Sequence, residues 1–308
     1  MRIIEHEIEC KGRSDRVEIF PFYDMHVGKA NCNEGAIQKQ VQEVLRRGKI
    51  PGRHIRVLLG GDAVNAVSPS DRKRFDFSDV ADWIVKGPAE EIKDALADLP
   101  NREIKRVEKL LGPIKGNIIG ALEGNHEKSL RKYHNMDVQE RLCETLGCRN
   151  LSDEALIRFR FKRPVGNRKA CRVTTTVVVY LRHGYGSGRS AGAEPNKLAN
   201  MLYEWECADV CLSGHSHSFC ILDPKAVASI PKRGALPDGL LWHHRFAANP
   251  GCWLDSHTLG RGSYESGACY PARAFMTCKI VIWPFFDQYV GGREFATPKI
   301  ELRNYPIL

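Results

Sequence analysis

Seven residues of metal-ligand type fall in five short segments, each at the end of an apolar run: Asp24-Met25-His26, Gly61-Asp62, Gly124-Asn125-His126-Glu127, His183-Gly184 and Gly214-His215-Ser216-His217. Asp24, His26, Asp62, Asn125, His183, His215 and His217 would supply the oxygen and nitrogen donors. One ion rarely uses so many donors when imidazoles are among them, whereas two ions sharing a carboxylate use them comfortably. Imidazole with carboxylate suits Mn²⁺, Fe or Zn²⁺ better than Mg²⁺, which prefers an all-oxygen shell. Two ions held ~3.5–4 Å apart clamp a phosphate and acidify bound water enough to supply hydroxide near neutral pH. The chemistry to expect is in-line hydrolysis of a phosphate ester.

For ligands spread over so much chain to meet, the elements before them must end on one rim. The apolar runs Val17 to Phe22, Arg56 to Leu59, Ile118 to Leu122, Val177 to Leu181 and Ala208 to Leu212 read as buried strands, and parallel strands deliver their following loops to one edge. Between them, Glu34 to Arg47 reads as a helix closed by Gly48. Ser78 to Lys86 reads as another, and a third starts at Pro88 and runs to about Leu111 before Gly112-Pro113. This strand and helix alternation predicts a largely parallel sheet. From Ala155 onward strands dominate: Leu156 to Phe161, Val173 to Leu181, Val210 to Leu212, Phe219 to Leu222, Leu241 to Ala248, Ala274 to Trp283 and Ile300 to Leu302. One helix, near Asn196 to Cys207, interrupts them. The expected fold is α/β, a four-layer αββα sandwich of two mixed sheets packed face to face with helices outside and the metal site at the carboxyl ends of strands. No linker composition separates the halves, so one domain over residues 1–308 is expected, with a core from about 15 to 285 and a strand-rich extension after it.

Each segment alone has a plain structural explanation. Asp-x-His can cap a loop, Gly-Asp is an ordinary turn, and Asn125 with Glu127 can open a helix. Gly214-His215-Ser216-His217 is harder to dismiss, because two imidazoles flanking one small residue have little structural purpose. Five such matches in order make coordination the better reading.

Charge and cysteine content narrow the setting. A formal charge of +9 and a pI near 9.0 suit a polyanionic partner. The densest basic run, Arg158-Phe159-Arg160-Phe161-Lys162-Arg163 and then Arg168-Lys169 to Arg172, alternates basic with apolar residues and is read as a half-solvated β-hairpin rather than a nucleic-acid ridge. Eleven cysteines without repeating close pairs are read as reduced thiols, and Cys207 with Cys211 has no second pair to complete a zinc site. Charge interrupts Met1 to Glu7, and no run approaches the ~20 apolar residues of a spanning helix. A soluble, cytoplasmic protein with no membrane partner is expected.

In order and spacing these segments resemble the calcineurin-like metallophosphoesterases, over roughly Glu18 to Trp283, and Asn249-Pro250-Gly251 matches a further turn common in that family. The resemblance implies that Asp24, His26 and His217 hold one metal and Asn125, His183 and His215 the other, with Asp62 bridging. The catalytic residues it implies are Asp62 and His126, the latter beside the leaving oxygen as general acid or transition-state stabiliser. The implied cofactor is a pair of divalent ions, Mn²⁺ first.

Substrate is less legible. Protein phosphatases of the superfamily continue the Gly-Asp motif into Asp-Arg-Gly, where this chain has Ala63-Val64-Asn65-Ala66-Val67, although Gly-Asn-His-Glu is shared with them. The nearest similarity is to phage and prophage phosphoesterases. It rests on Asn65, on the glycine-rich tract after His183 (Gly184, Gly186, Gly188, Gly192, with Ser187, Arg189 and Ser190), and on Ser263, Tyr264, Glu265, Tyr270 and Pro271. Asn65, Arg189 and Tyr264 are therefore the candidate substrate contacts. The tract either cradles phosphate or is a plain surface loop, and Asn65 either meets a metal-bound group or holds its turn. Trp242, Trp253, Tyr264 and Tyr270 either stack a base or pack. The leading expectation is a phosphodiesterase acting on nucleic acid or a nucleotide. A phosphomonoesterase is the alternative within enzymes, and a non-catalytic nucleic-acid-binding or scaffold protein the alternative outside them.

Overall fold

The computed structural model describes the chain except residues 68, 72–74, 166–167, 187–189, 191, 230–240, 256–275, 291–292 and 307–308. The apolar strands pair into two sheets. A seven-stranded sheet runs in the order β1 (Arg2–Glu9), β6 (Glu154–Val165), β7 (Arg168–Arg182), β8 (Val210–Ser213), β11 (Leu241–Asn249), β10 (Lys225–Ser229), with β9 (Cys220–Ile221) also on β11. A six-stranded sheet runs β13 (Arg293–Pro306), β12 (Met276–Val290), β2 (Arg16–Phe22), β3 (Arg53–Leu59), β4 (Ile118–Ala121), β5 (Arg149–Asn150). Both are mixed: β2 to β5 are mutually parallel and β12 joins β2 antiparallel, while β7, β8 and β11 are parallel and β6 joins β7 antiparallel.

The inner faces meet in one core. Val17, Ile19, Leu58, Ile280 and Ile282 of the smaller sheet interdigitate with Phe159, Phe161, Val177, Val179 and Leu212 of the larger. On the outside of the smaller sheet, α1 (Glu34–Gly48), α4 (Leu99–Leu111) and α6 (Val138–Leu146) cover Phe20, Phe22, Val57 and Leu59. On the outside of the larger sheet, α7 (Ala193–Glu204) covers Tyr180, Cys211 and Ala247. The expected four-layer αββα arrangement is therefore present.

Departures from the sequence expectation have local causes. The helix expected from Pro88 to Leu111 is two, α3 (Ala89–Ala97) and α4, broken at Asp98. Pro100 has no N–H to give to Leu96 and its ring crowds that carbonyl. Ser78 to Lys86 forms a 3₁₀ turn, Phe77–Asp79, and one helical turn, α2 (Asp82–Val85). Between them Val80 bridges to Lys29 and the Ala81 N–H bonds the Gly28 carbonyl at 2.8 Å, so pairing with the loop after β2 overrides helix propensity. β12 continues past Trp283 through a register shift at Pro284, where a proline's missing donor is tolerated. The helix that Asn125 and Glu127 can open is present as α5 (Asn125–His134), closed by left-handed Asn135, while α6, capped by Asp137 and closed by Gly147, falls outside the sequence expectation.

The charged N-terminal segment is edge strand β1. Ile4, His6 and Ile8 turn inward in alternation, and Glu5 and Glu7 face the basic strand β6, pairing with Arg158, Arg160 and Lys162. The basic run is a hairpin as expected, and β1 supplies carboxylates to part of it. The described cysteines are free thiols, and among the described residues no helix is long and apolar enough to cross a membrane. Phe159 is fully buried between the sheets. Phe159→Ala should cost about 3–5 kcal/mol, read as a lower urea midpoint at unchanged slope.

Candidate metal centre

Every predicted ligand lies just past a strand end on the same rim: Asp24 and His26 after β2, Asp62 after β3, Asn125 after β4, His183 after β7, and His215 and His217 after β8. The two sheets thus contribute facing halves of one cluster. Three sets of donor atoms lie within 4.8 Å of one another: Asp24, His26 and His217; Asp62, His183 and His215; and His26, Asp62 and His126. Asp62 joins them, its Oδ2 being 3.3 Å from His183 Nε2 and 3.8 Å from His26 Nε2. Asn125 Oδ1 faces His183 Nε2 at 2.9 Å and His215 Nδ1 at 2.7 Å. The structure therefore brings all seven candidate ligands together at one rim.

The local backbone is unusual. Asp24, His26, Asp62, His215 and His217 all have left-handed φ, between +46° and +69°. Each such conformation in a non-glycine residue costs on the order of 1–2 kcal/mol, so five at one rim mark a site where function overrides local preference. Gly124 and Gly61 make room for it. A Cβ on Gly124 would lie 2.0 Å from Asp62 Oδ1, and one on Gly61, whose φ is +92°, would lie 2.6 Å from His183 Nδ1.

Hydrogen bonds aim the ligands. The Asp62 side chain accepts the His126 N–H at 2.9 Å, and Asp24 Oδ2 accepts the His215 N–H at 2.9 Å. His183 donates Nδ1–H to the Gly60 carbonyl at 2.9 Å, which fixes the ring and turns Nε2 to the cluster. Glu127, read from sequence as a helix-opening acid, is fully buried. Its carboxylate accepts the N–H groups of Asp62, Ala63, Val64 and Gly124 at 2.8–3.3 Å, tying the loop after β3 to the start of α5. Ser216, between the paired histidines, donates to Glu194 at 2.7 Å and accepts from Asn249 at 2.9 Å, so the Asn249 turn holds the His215 and His217 loop. Glu127 and Glu194 escape sequence reasoning as supports, because their partners are distant backbone and side chains that no spacing rule reveals.

Burial pushes Asp24 up to about 6, against the pull of His183 and His217. Burial also acts to raise Asp62, but the imidazoles of His183, His126 and His26 outweigh it and hold Asp62 well below the usual range. Burial depresses His26 far below its ordinary value, helped by His126, and takes His215 down to about 4. It acts downward on His183 as well, yet Asp62 and Asp24 push that ring up to about 10.

The donor set fits a cation. Asp24 Oδ1 and His26 Nδ1 are buried without a hydrogen-bond partner, and Asp24 Oδ1 stands 3.9 Å from His217 Nε2 and 4.0 Å from His183 Nδ1. His26 Nε2 and His217 Nε2 approach to 3.1 Å, two ring nitrogens aimed at one spot. A divalent ion accepts both lone pairs and the carboxylate, which a single shared proton cannot do.

Of the expected substrate contacts, Asn65 is buried and enters the site through its main chain, its carbonyl taking the Nδ1–H of His126. Arg189 and Tyr264 lie outside the described residues, as do Ser187 and Gly188 of the glycine tract and Ser263, Glu265, Tyr270 and Pro271. Trp253 is core, stacked on Phe22 with ring centroids 5.2 Å apart, and so does not reach a base; Trp242 is half exposed on β11. Tyr185, two residues after His183 and 82% exposed, carries no sequence signal that sets it apart.

No family profile matches the chain, and no curated protein sequence matches it. Among solved structures it is similar to a conserved uncharacterized protein, a predicted phosphoesterase, from Streptococcus pneumoniae TIGR4, with 14% identity over 94% of this chain and 98% of that one and a TM-score of 0.31. It is similar also to Vacuolar Protein Sorting 29 from Cryptosporidium parvum (11% identity, 95% and 98% covered, TM-score 0.33). Zinc-complexed wild-type Vps29 from Entamoeba histolytica matches at 14% identity over 65% and 89%, with a TM-score of 0.26. Likenesses this distant do not bear on chemistry, which rests on the cluster itself.

Two outcomes check the cluster. Mn²⁺ or Zn²⁺ at about 100 times its dissociation constant should stabilise the fold by about 2.7 kcal/mol in a thermal-shift titration, and Asp24→Ala should flatten that response. Glu127→Gln, which sets an amide N–H₂ among backbone donors, should lower stability by on the order of 3 kcal/mol and reduce bound metal in elemental analysis.

Proposed function

We propose that this chain is a phosphodiesterase that works with two divalent ions. The observation that carries the reading is Asp62, a buried carboxylate facing His26 on one side and His183 on the other, with an Asp/His/His set on one flank and an Asn/His/His set on the other. Asp24, His26 and His217 would hold one ion, Asn125, His183 and His215 the second, and Asp62 both. Such a pair, Mn²⁺ in this reading, supplies Lewis acidity toward the phosphate and lowers the pKa of water at the site.

The chain's own groups do the rest. His126 donates a hydrogen bond from Nδ1–H to the Asn65 carbonyl, which leaves Nε2 as the reactive nitrogen. Its ring lies 4.7 Å from that of His26, centroid to centroid, so it borders the cluster without belonging to the Asp24 set. As imidazolium it donates from Nε2 to the departing alkoxide. The Asp62 bond to the His126 backbone N–H couples the position of that acid to the shared ligand.

The choice of a diester is supported by the Ala63 to Val67 loop, which carries no guanidinium to meet a second phosphate charge, and by the overall positive charge, which favours polyanionic substrates. Metal-loaded protein should hydrolyse bis-p-nitrophenyl phosphate faster than p-nitrophenyl phosphate. His126→Ala should lower kcat by about 10²–10⁴, and Asp62→Ala should remove turnover and metal together. Full metal occupancy with no turnover of either ester would sink the enzyme reading, and a preference for the monoester would reassign the substrate.

A further inference from the structure

The basic hairpin that stands out in the sequence is partly balanced by Glu5 and Glu7, but a second concentration of positive charge forms where distant strands meet. Helices α1, α4 and α6 cover β2 to β4, and among the described residues none is laid across the outer face of β12 and β13. Beside that face Arg16 of β2, Arg47 of α1, Arg53 of β3 and the buried Lys279 of β12 converge on the fully buried Glu18, at 3.2, 2.6, 3.4 and 3.2 Å. Burial and the adjacent Arg47 and Arg16 hold the Arg53 guanidinium below its ordinary value, as expected where cations crowd. Farther along, Arg16, Lys299 and Arg303 sit 5.9, 5.1 and 5.5 Å from the ring centre of Trp283. Lys299 also lies 5.4 Å from that of Phe286, itself 45% exposed. Lys299 and Arg303 both pair with Glu301, at 2.9 and 2.6 Å, and Glu43 reaches Arg47 at 3.9 Å.

We propose that the outer β12–β13 face, with Arg16, Trp283, Lys299 and Arg303, binds the phosphate backbone of a single-stranded nucleic acid. Half-exposed cations along a sheet face track a polymer rather than enclosing one ion, and aromatic rings among the cations give stacking that tolerates any base. The charge fits, since among the described residues Lys299 and Arg303 share the one carboxylate of Glu301, Arg16 shares Glu18 with three other cations, and a phosphate chain brings further anions. Its place fits a long substrate too. Arg16 opens β2 and Asp24 follows its end, so about eight strand residues, roughly 25 Å, separate the face from the metal cluster. A strand held here would be anchored away from the point of cleavage.

The test is binding, so it does not depend on turnover and can fail or succeed apart from the phosphodiesterase assignment. Metal-loaded protein is titrated against a fluorescent phosphorothioate single strand of about 16 nucleotides, and anisotropy is followed over a salt series. Lys299→Glu with Arg303→Glu, both nearly half exposed in the folded protein, should weaken binding at least about tenfold. It should also flatten the log–log salt slope by roughly 0.7 for each phosphate that the variant no longer neutralises. Alanine at both positions should give a smaller loss in the same direction, and hydrolysis of a small activated ester should be unchanged. Lys105→Glu with Lys109→Glu on α4 makes the same change in net charge and should have little effect. Unchanged affinity and slope in the β13 variants, an equal loss in the α4 variant, or binding to phosphatidylserine vesicles with none to the strand would overturn the proposal.

Discussion

Asp62 is a buried carboxylate placed among imidazoles, and much of the rim is arranged around the consequences. A charge removed from water needs an opposite charge and a full set of hydrogen bonds. The His126 N–H and the surrounding histidines give part of that compensation, and their pull outweighs the burial that would otherwise raise the carboxyl. Asp24, with one oxygen bonded to the His215 N–H and the other without a partner, is less well served and is pushed upward. Two carboxylates so differently treated in one cluster describe a site whose balance a cation would complete.

Holding that arrangement has a conformational cost. Five of the ligands sit in left-handed backbone, and the surrounding contacts keep them there. Glu127 clamps four backbone N–H groups around the loop after β3, while Glu194, Ser216 and Asn249 lock the loop after β8. The sandwich makes this feasible, because two rigid sheets with a shared core fix the strand ends before the loops leave them.

Charge elsewhere follows the same logic with a different result. On β6 the basic residues face a strand bearing glutamates, so part of their field is spent within the protein. On β12 the buried Lys279 is likewise spent on Glu18, while on β13 the half-exposed Lys299 and Arg303 share Glu301. Which charges are compensated depends on which strands become neighbours.

The sequence by itself determined the order of the seven candidate ligands and the strands that end beside them. Apolar runs, punctuating glycines and donor-bearing loops are local signals, and parallel pairing converts them into a shared rim. It also carries helix-end signals, at Asn135, Asp137 and Gly147, whose meaning is plain only beside the helices they close or open. Only the tertiary structure decided that Glu127 and Glu194 support the cluster, that Asn65 meets His126 through its carbonyl, and that Trp253 belongs to the core. It decided also that Val80 leaves the helical path to pair with Lys29. The reason is common to all of these: each depends on a partner tens or hundreds of residues away, and burial, which sets both charge state and conformation, exists only once the two sheets have closed on each other.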